Sequence, residues 1–258
     1  MIDGVLYDIL LDALNNNASD VHLSAGCLPM LRIDGQIMPL TAYDEMDQTL
    51  LNKMAGSLLT PMQVERYTAE RELDFSFAEE LGSRGMQRFR ANLAFEKGRS
   101  MLAIRPISSA VRTVAQLGLP KQILEMTQKQ NGLFLVTGPT GSGKSTTLSA
   151  LIEQINLTRA VHIITIEDPI EYLYRSQRAI IHQREVGSDT ASFAEALRRA
   201  MRQDPDVILL GELRDLETIA AAVTAAETGH LVLATLHTRD AASSIDRIID
   251  VFPPYQQQ

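Results

Sequence analysis

The stretch "GPTGSGKS", residues 138–145, decides the fold of the region around it. It fits the pattern G-x-x-x-x-G-K-[ST], in which a glycine-rich loop joins a strand to a helix and cradles phosphate groups. The apolar run "LFLVT" stands directly before it, and the helical pattern "TTLSALIEQI" follows it. Because strand, loop and helix occur in the required order, the sequence predicts a P-loop domain that binds a nucleotide.

The loop supplies several kinds of contact to a nucleotide. Its backbone N–H groups point toward an anion, and the N-terminus of the following helix adds partial positive charge. The Lys144 ammonium is expected to reach the β- and γ-phosphates, and the Ser145 hydroxyl to coordinate Mg²⁺. ATP and Mg²⁺ are therefore the predicted cofactors. The predicted nucleotide-binding residues are Gly138, Pro139, Thr140, Gly141, Ser142, Gly143, Lys144, Ser145 and Thr146.

From about residue 115 onward, apolar strands alternate with helical patterns. The strands are "LFLVT", "VHIITI", "DVILL" and "LVLATL". This alternation predicts an α/β domain, with a parallel sheet and helices on both faces. Because the carboxyl ends of parallel strands share one edge, where ligands bind, we expect the polar residues after each strand to meet at the phosphates.

The strand within "DVILLGELRD", residues 206–215, ends in glycine. P-loop hydrolases commonly use an aspartate of this strand for the Mg²⁺ shell. Here the first carboxylate after the strand belongs to Glu212. We predict that Gly211 permits a close backbone approach and that Glu212 helps to hold Mg²⁺ and the attacking water.

A second group of carboxylates follows "VHIITI" in the segment "EDPIE", which offers Glu167, Asp168 and Glu171. Glu171 lies beyond the turn at Asp168-Pro169 and is predicted to be the general base that activates water. The alternative is that these are solvated loop carboxylates, or charges that complement helix dipoles.

Two histidines bracket the strand "LVLATL". His230 and His237 are seven residues apart and would be separated by roughly 23 Å, so they cannot bind one metal ion within the strand. His237 falls at the phosphate edge and is predicted to position the γ-phosphate. His230 falls at the opposite end, where it contacts a neighbouring element or is a hydrogen-bonded structural histidine.

Arginines occur in two further places. "SFAEALRRAMRQDPD" predicts an amphipathic helix, from which Arg198 or Arg202 is expected to reach the site or a subunit interface. The first hundred residues predict an α+β module with an antiparallel sheet, and Arg90 and Arg105 lie on its strands. Those two are either exposed strand residues or supply guanidinium groups to ATP.

The composition limits the functional classes. The 258-residue chain has a net charge of -8, which argues against a nucleic-acid partner. Its one cysteine, Cys27, excludes an intrachain disulfide. The N-terminus lacks the pattern of a secretory signal, and no apolar run is long enough to cross a bilayer. We expect a cytoplasmic protein that associates peripherally with the inner membrane through partners.

Taken together, the motifs resemble those of the secretion ATPase superfamily, and most closely those of the type IV pilus retraction ATPases. "ASDVHLSAG" resembles the signature of an N-terminal PAS-like domain, "GPTGSGKSTT" the Walker A motif and "TIEDPIEY" the Asp box. "RQDPDVILLGELRD" resembles the family's atypical Walker B motif, and "TAAETGHLVLATLHT" its His box. The resemblance covers nearly the whole chain.

The resemblance implies a PAS-like domain over residues 1–107, a linker over 108–115 and a RecA-like ATPase domain over 116–258. It places the catalytic glutamate at Glu171, the Walker B glutamate at Glu212 and the His-box histidines at His230 and His237. It also implies a homo-hexameric ring with ATP between the two domains of each subunit, arginines of the PAS-like domain at the site, and an inner-membrane pilus or secretion platform protein as partner.

The resemblance leaves alternatives open. Family members continue beyond "VFPPYQQQ" with further helices that carry a motif usually written AIRNLIRE, so we expect either a fragment or a shortened variant. Pilus retraction, which underlies twitching motility, is the leading interpretation. The alternatives are a pilus-assembly or secretion ATPase, and a non-motor regulatory subunit of a ring.

Overall fold

The computed structural model describes residues 2–107 and 111–253. The chain divides into two compact units, Met1–Ser108 and Ser109–Gln258, each with its own hydrophobic core. Part of the predicted linker and the terminal "YQQQ" lie outside the described residues. Among the described residues, no helix is long and apolar enough to cross a membrane.

The first unit is α+β, as the sequence predicts, and its six-stranded sheet has the order β3-β2-β1-β6-β5-β4 with antiparallel neighbours. Two of its turns follow from local chemistry. Asp34 and Gly35 both have positive φ, as a two-residue hairpin turn of type I′ requires, and Lys97 and Gly98 repeat this arrangement. The elements are α1 Gly4–Asn15, β1 Asp20–Ser24, β2 Met30–Ile33, β3 Gln36–Pro39, α2 Gln48–Leu58, α3 Pro61–Glu70, β4 Glu72–Glu80, β5 Met86–Glu96 and β6 Arg99–Ile107.

The second unit contains the predicted parallel sheet. Its five strands have the order β7-β11-β10-β8-β9, and every pair is parallel. The elements are β7 Gly132–Thr137, α4 Lys144–Thr158, β8 His162–Glu167, β9 Ile180–Glu185, α5 Phe193–Ala200, β10 Val207–Leu210, α6 Leu216–Glu227, β11 Leu231–Leu236 and α7 Ala241–Val251; a 3-10 helix spans Lys121–Gln128.

Side-chain alternation along the strands gives the sheet two apolar faces. On β10, Ile208 and Leu210 belong to a core cluster shared with α5 and α6, whereas Val207 and Leu209 belong to a cluster shared with α4. All four side chains are buried. The predicted arrangement of helices on both faces of a parallel sheet is therefore confirmed.

Strand β9 is absent from the sequence-based prediction. It forms an edge of the sheet and reads Ile180–Glu185, "IIHQRE", in which Glu185 is the one fully buried residue. Its apolar residues form neither a continuous run nor a regular alternation with polar residues, so the sequence pattern does not predict a strand here. The α5 helix is also shorter than predicted, because it ends at Ala200 rather than continuing toward Asp204.

Candidate functional site

A cavity of about 350 Å³ opens where the carboxyl ends of the parallel strands meet. Residues that follow β7, β8, β10 and β11 line it together, as the predicted topology requires. Twelve of the residues singled out from the sequence are among its lining: Thr140, Gly141, Gly143, Lys144, Ser145, Thr146, Glu167, Asp168, Glu171, Gly211, Glu212 and His237.

Three residues of the predicted phosphate loop do not line the cavity: Gly138, Pro139 and Ser142. Gly138 has a φ of 151°, and a Cβ atom on it would lie 2.6 Å from the Ser142 Oγ. A side chain at this position would therefore displace the Ser142 side chain, and the positive φ would strain it. These three residues shape the loop, and the other residues of the loop line the cavity.

The side chain of Lys144 is folded into the loop. Its Nζ donates to the carbonyl oxygens of Gly138 and Pro139, each at 3.0 Å, and the residue is buried. A lysine ammonium has three N–H donors, so one remains to contact a phosphate. The arrangement holds a positive charge beside the N-terminus of α4, where an anion is already favoured.

The Glu212 carboxylate lies between the side chains of Arg214 and His237. The Nε of Arg214 is 2.5 Å from its Oε1, and the Nε2 of His237 is 3.8 Å from its Oε2. The Glu212 side chain is 13% exposed, whereas that of Arg214 is 74% exposed. The structure thus brings Glu212 and His237 together from two strand ends, and it adds Arg214, which the sequence analysis did not single out.

Glu167 is the buried carboxylate of the site. It accepts a hydrogen bond from the Thr165 hydroxyl at 2.7 Å and one from the backbone N–H of Glu171 at 3.3 Å. Burial raises the pKa of Glu167 above its ordinary range, although these hydrogen bonds act in the opposite direction. Glu171 itself is exposed at the cavity.

The position of Gly211 explains why the strand ends in glycine. Its N–H donates to the Ile166 carbonyl at 2.8 Å, and its own carbonyl accepts from the Thr235 hydroxyl at 2.5 Å. A Cβ atom here would lie 3.3 Å from the Cα of Glu167 and 3.7 Å from the Phe193 ring. The close approach predicted for this glycine is therefore observed, and it is directed at the neighbouring strand.

Several lining residues were missed by the sequence analysis: Tyr172, Tyr174, Phe193 and Thr235. The hydroxyl groups of Tyr172 and Thr146 are 3.2 Å apart, which links the segment after β8 to the first turn of α4. A signal for the two tyrosines existed in the sequence, because "YLY" directly follows the predicted general base. Phe193 packs against a core cluster and also lines the cavity.

Three other candidates lie outside the cavity lining: His230, Arg198 and Arg202. His230 precedes β11 at the opposite edge of the sheet, and its Nδ1 donates to the Ala225 carbonyl at 2.9 Å. Arg198 forms an ion pair with Glu217, and Arg202 donates to the Arg198 carbonyl at 3.0 Å. Within this unit, the two arginines are therefore surface residues of the α5–α6 pair rather than residues of the nucleotide site.

The two candidate arginines of the first unit lie on one face of its sheet. Arg90 and Arg105 are directly opposite each other on β5 and β6, and both are exposed. Arg105 forms an ion pair with Asp20 at 2.6 Å, and Arg32 lies 3.6 Å from the same carboxylate. Burial is the largest single influence and raises the pKa of Asp20, but the hydrogen bonds from Arg105 and Ser19 and the nearby positive charge together outweigh it, so the pKa is lowered overall.

The residues present fit the expected mode of Mg²⁺ binding. In the described part of the chain, no group of three or more His, Cys, Asp or Glu side chains is arranged to hold a metal ion. Mg²⁺ at a nucleotide site is usually bound by one or two protein oxygens, phosphate oxygens and water. Ser145 and Glu212 line the same cavity and supply ligands of that kind.

The phosphate loop at the carboxyl edge of a parallel sheet, with carboxylates from two adjacent strand ends, defines a P-loop ATPase. The family model described as Type II/IV secretion system protein matches residues 1–252, and the chain belongs to that family.

Individual relatives agree with this classification. The type IV pilus retractation ATPase PilT of Pseudomonas aeruginosa is 46% identical over 96% of this chain and 71% of its own length. A twitching motility protein of Neisseria gonorrhoeae is 48% identical over 91% of this chain and 61% of its own length. The resemblance to the pilus retraction ATPases is therefore confirmed.

Solved structures agree as well. A crystal structure of the pilus retraction motor PilT with bound ADP is 47% identical, has a TM-score of 0.92 and covers 98% of this chain and 72% of its own. The ATPase DotB of Legionella pneumophila is 28% identical, with a TM-score of 0.81 over 100% of this chain and 72% of its own. The mixed α/β fold with a parallel sheet is thus that of the secretion ATPases.

Proposed function

We propose that the chain is an ATP-hydrolysing motor subunit that drives retraction of a type IV pilus. The observation that carries the proposal is the cavity in which Lys144, Ser145, Glu171 and Glu212 meet at one sheet edge. The relatives named for pilus retraction and twitching motility support the biological role, and the ADP-bound relative supports the nucleotide.

The residues have distinct proposed roles in hydrolysis. The loop N–H groups and the Lys144 ammonium bind the phosphates, as a helix N-terminus and a lysine do in P-loop proteins. Ser145 and Glu212 hold Mg²⁺, which when bound neutralises charge on the phosphate oxygens. Glu171 accepts the proton of the attacking water, and its exposed side chain at the cavity supports this role. His237 positions the γ-phosphate beside Glu212.

The assembly is also proposed. The first unit is a PAS-like domain and the second a RecA-like domain, and six copies form a ring in which Arg90 and Arg105 complete a nucleotide site. The ring works in the cytoplasm beside an inner-membrane platform protein, which couples it to the pilus. Support comes from the family membership and from the arginines that share one exposed sheet face.

A role in type II secretion is the second candidate. A type II secretion system protein E of Xanthomonas campestris is 50% identical over 130 residues, half of this chain and 22% of its own length. Type II secretion relatives that align over most of this chain are less similar, at 35% identity for the Aeromonas hydrophila protein over 94% of this chain. Retraction is therefore the leading proposal.

Hydrolysis is tested with the purified chain. Glu171→Gln is expected to lower ATP turnover by about 10²- to 10⁴-fold, the usual contribution of a general base, and to leave ATP binding intact. Glu227→Gln, at the exposed end of α6, is the matched control and is expected to behave like the unmodified chain. Normal turnover in Glu171→Gln would remove Glu171 from this role.

The biological role is tested in the organism that carries the gene. Deleting the gene is expected to abolish twitching and to leave extracellular enzyme levels unchanged. Loss of secreted enzymes with normal twitching would instead support the secretion role. The two measurements separate the candidate functions, because twitching depends on the pilus and extracellular enzyme levels depend on the secretion system.

A further inference from the structure

The segment that carries Glu171 has no regular secondary structure. It spans residues 168–179, between β8 and β9, and we refer to it as the Glu171 loop. A segment of this length needs hydrogen bonds to groups outside it to hold one conformation, because its own backbone groups are not paired in a helix or a sheet. Most of these bonds come from side chains that do not line the nucleotide cavity.

Glu185, the last residue of β9, holds the loop on the N-terminal side of Glu171. Its Oε2 accepts from the backbone N–H of Ile170 at 3.0 Å, and its Oε1 accepts from the Ser188 hydroxyl at 3.2 Å. The Glu185 residue is 3% exposed. The peptide that leads into Glu171 is therefore attached to a buried carboxylate on the neighbouring strand.

Gln183 holds the loop on the C-terminal side of Glu171. Its Nε2 donates to the Tyr172 carbonyl at 2.7 Å, and its Oε1 accepts from the Tyr174 N–H at 2.9 Å. Gln183 and Glu185 are two residues apart on β9, so their side chains project from the same face. One strand thus fixes the backbone on both sides of Glu171.

The far end of the loop is attached to α4, the helix that begins at Lys144. The Nδ2 of Asn156 donates to the Arg175 carbonyl at 2.9 Å, and its Oδ1 accepts from the Gln177 N–H at 3.0 Å. Asn156 is fully buried. The loop is therefore connected both to β9 and to α4, the helix that follows the phosphate loop.

The polarity of β9 requires an explanation. Burying a carboxylate or an amide costs free energy unless the group is hydrogen-bonded, and an apolar residue would fill the same space without that cost. The adjacent strand β8 has Ile163, Ile164 and Ile166 buried, whereas β9 directs Gln183 and Glu185 to the loop. The hydrogen bonds described above satisfy both polar side chains and attach the loop to β9.

We propose that Gln183 and Glu185 are positioning residues for ATP hydrolysis, which hold the Glu171 loop so that the Glu171 carboxylate meets the attacking water. The proposal rests on the proposed role of Glu171 as general base. Neither residue lines the cavity, so neither is expected to contact the nucleotide. Their removal should therefore affect the chemical step and leave ATP binding intact.

The test compares steady-state hydrolysis by the full chain and four variants: Gln183→Ala, Glu185→Ala, Glu185→Gln and His182→Ala. Displacing a catalytic group by about 1 Å can cost about 10²-fold, so Gln183→Ala and Glu185→Ala are expected to lower kcat by about 10- to 100-fold, with KM for ATP nearly unchanged. Glu185→Gln keeps an oxygen for the Ile170 N–H and is expected to retain most of kcat.

His182 provides the matched control. It lies on β9 beside Gln183 but projects from the opposite face, where its Nδ1 is 2.9 Å from the His162 Nε2. His182→Ala should leave kcat close to that of the unmodified chain. Equal losses in His182→Ala and Gln183→Ala would indicate general damage to the strand and would overturn the proposal.

Combining the variants with Glu171→Gln separates positioning from an independent effect. If Gln183 acts through Glu171, Gln183→Ala lowers kcat little further in the Glu171→Gln background, because residues that act as a unit are not additive. Losses that multiply in the double variant would overturn the proposal. Unchanged kcat in both alanine variants, with a slow Glu171→Gln, would overturn it while leaving the proposed function intact.

Hydrogen exchange gives a readout that is independent of activity. The amides of Ile170 and Tyr174 are expected to exchange faster in Glu185→Ala and Gln183→Ala respectively, whereas the β10 amides remain protected. If Glu185→Ala fails to fold, Gln183→Ala carries the test by itself. Normal hydrolysis by Glu171→Gln would overturn this proposal together with the proposed role of Glu171.

Discussion

A Cβ atom on Gly211 would lie 3.3 Å from the Cα of Glu167, so a side chain at residue 211 would press the end of β10 away from the end of β8 by a few tenths of an ångström. The close contact is between backbones, which cannot move aside as a flexible side chain can. Glu212 and Glu167 are consequently presented to the cavity from two strand ends in direct contact. The glycine at this position is therefore explained by the close packing of the two strand ends.

Gly211→Ala is expected to destabilise the protein and to slow hydrolysis. An added methyl group at a well-packed position typically costs about 1–3 kcal/mol, because the neighbours must shift. Here the shift separates β10 from β8 and displaces Glu212. Thermal unfolding and ATP turnover of the variant check both effects, and unchanged turnover would show that the site tolerates the displacement.

Arg90 and Arg105 are expected to differ although they lie opposite each other. Arg90→Ala should lower turnover with little effect on stability, by about 10³-fold if it acts like the arginines that neutralise a transferring phosphoryl group. Arg105→Ala should also lower the melting temperature, because it removes the ion pair with Asp20. Turnover and thermal unfolding of both variants, on ring-forming preparations, distinguish the two. Full turnover in both would exclude the first unit from the nucleotide site.

Asp20→Asn is expected to lower stability in a pH-dependent way. The folded-state pKa of Asp20 is lowered from 3.8, so its charged form is stabilised on folding. That contribution is present above pH 3.8 and is lost as the pH falls through the folded-state pKa. The unmodified chain should therefore be more stable than the variant near neutral pH, and the difference should shrink in acid. A difference that is constant with pH would contradict the ionic origin.

Glu167→Gln should show the opposite dependence. The folded-state pKa of Glu167 is raised above 4.5, mainly by burial, so its ionisation opposes folding as the pH rises above that value. The glutamine variant loses a hydrogen-bond acceptor but carries no charge. Its melting temperature relative to the unmodified chain should therefore increase from pH 4.5 toward neutral pH. Melting curves over that range measure the slope, and a decrease would contradict the proposed cause.

Much of the site could be predicted from the sequence because its signals are local. The phosphate loop is a contiguous pattern between a strand and a helix, and the strands β7, β8, β10 and β11 are short apolar runs. Parallel strands carry their ligands at one edge, so the meeting of Glu171, Glu212 and His237 followed from topology. The roles of these residues remain predictions.

Contacts between segments distant in sequence could not be predicted in the same way. Strand β9 is stabilised by pairing with β8 and has no strong apolar pattern of its own. The Asp20–Arg105 ion pair joins residues that are 85 positions apart in the sequence. Such contacts form only when the chain folds and brings these segments close together.

The sequence by itself determined the phosphate loop, the parallel sheet and the edge at which the carboxylates gather, because hydrophobic periodicity and glycine placement act over a few residues. Only the tertiary structure decided that Gly211 faces the Glu167 backbone, that His230 bonds to Ala225, and that Gln183 and Glu185 hold the Glu171 loop. These relationships arise where separate elements come into contact, and their energies depend on a register and a separation that local sequence does not encode.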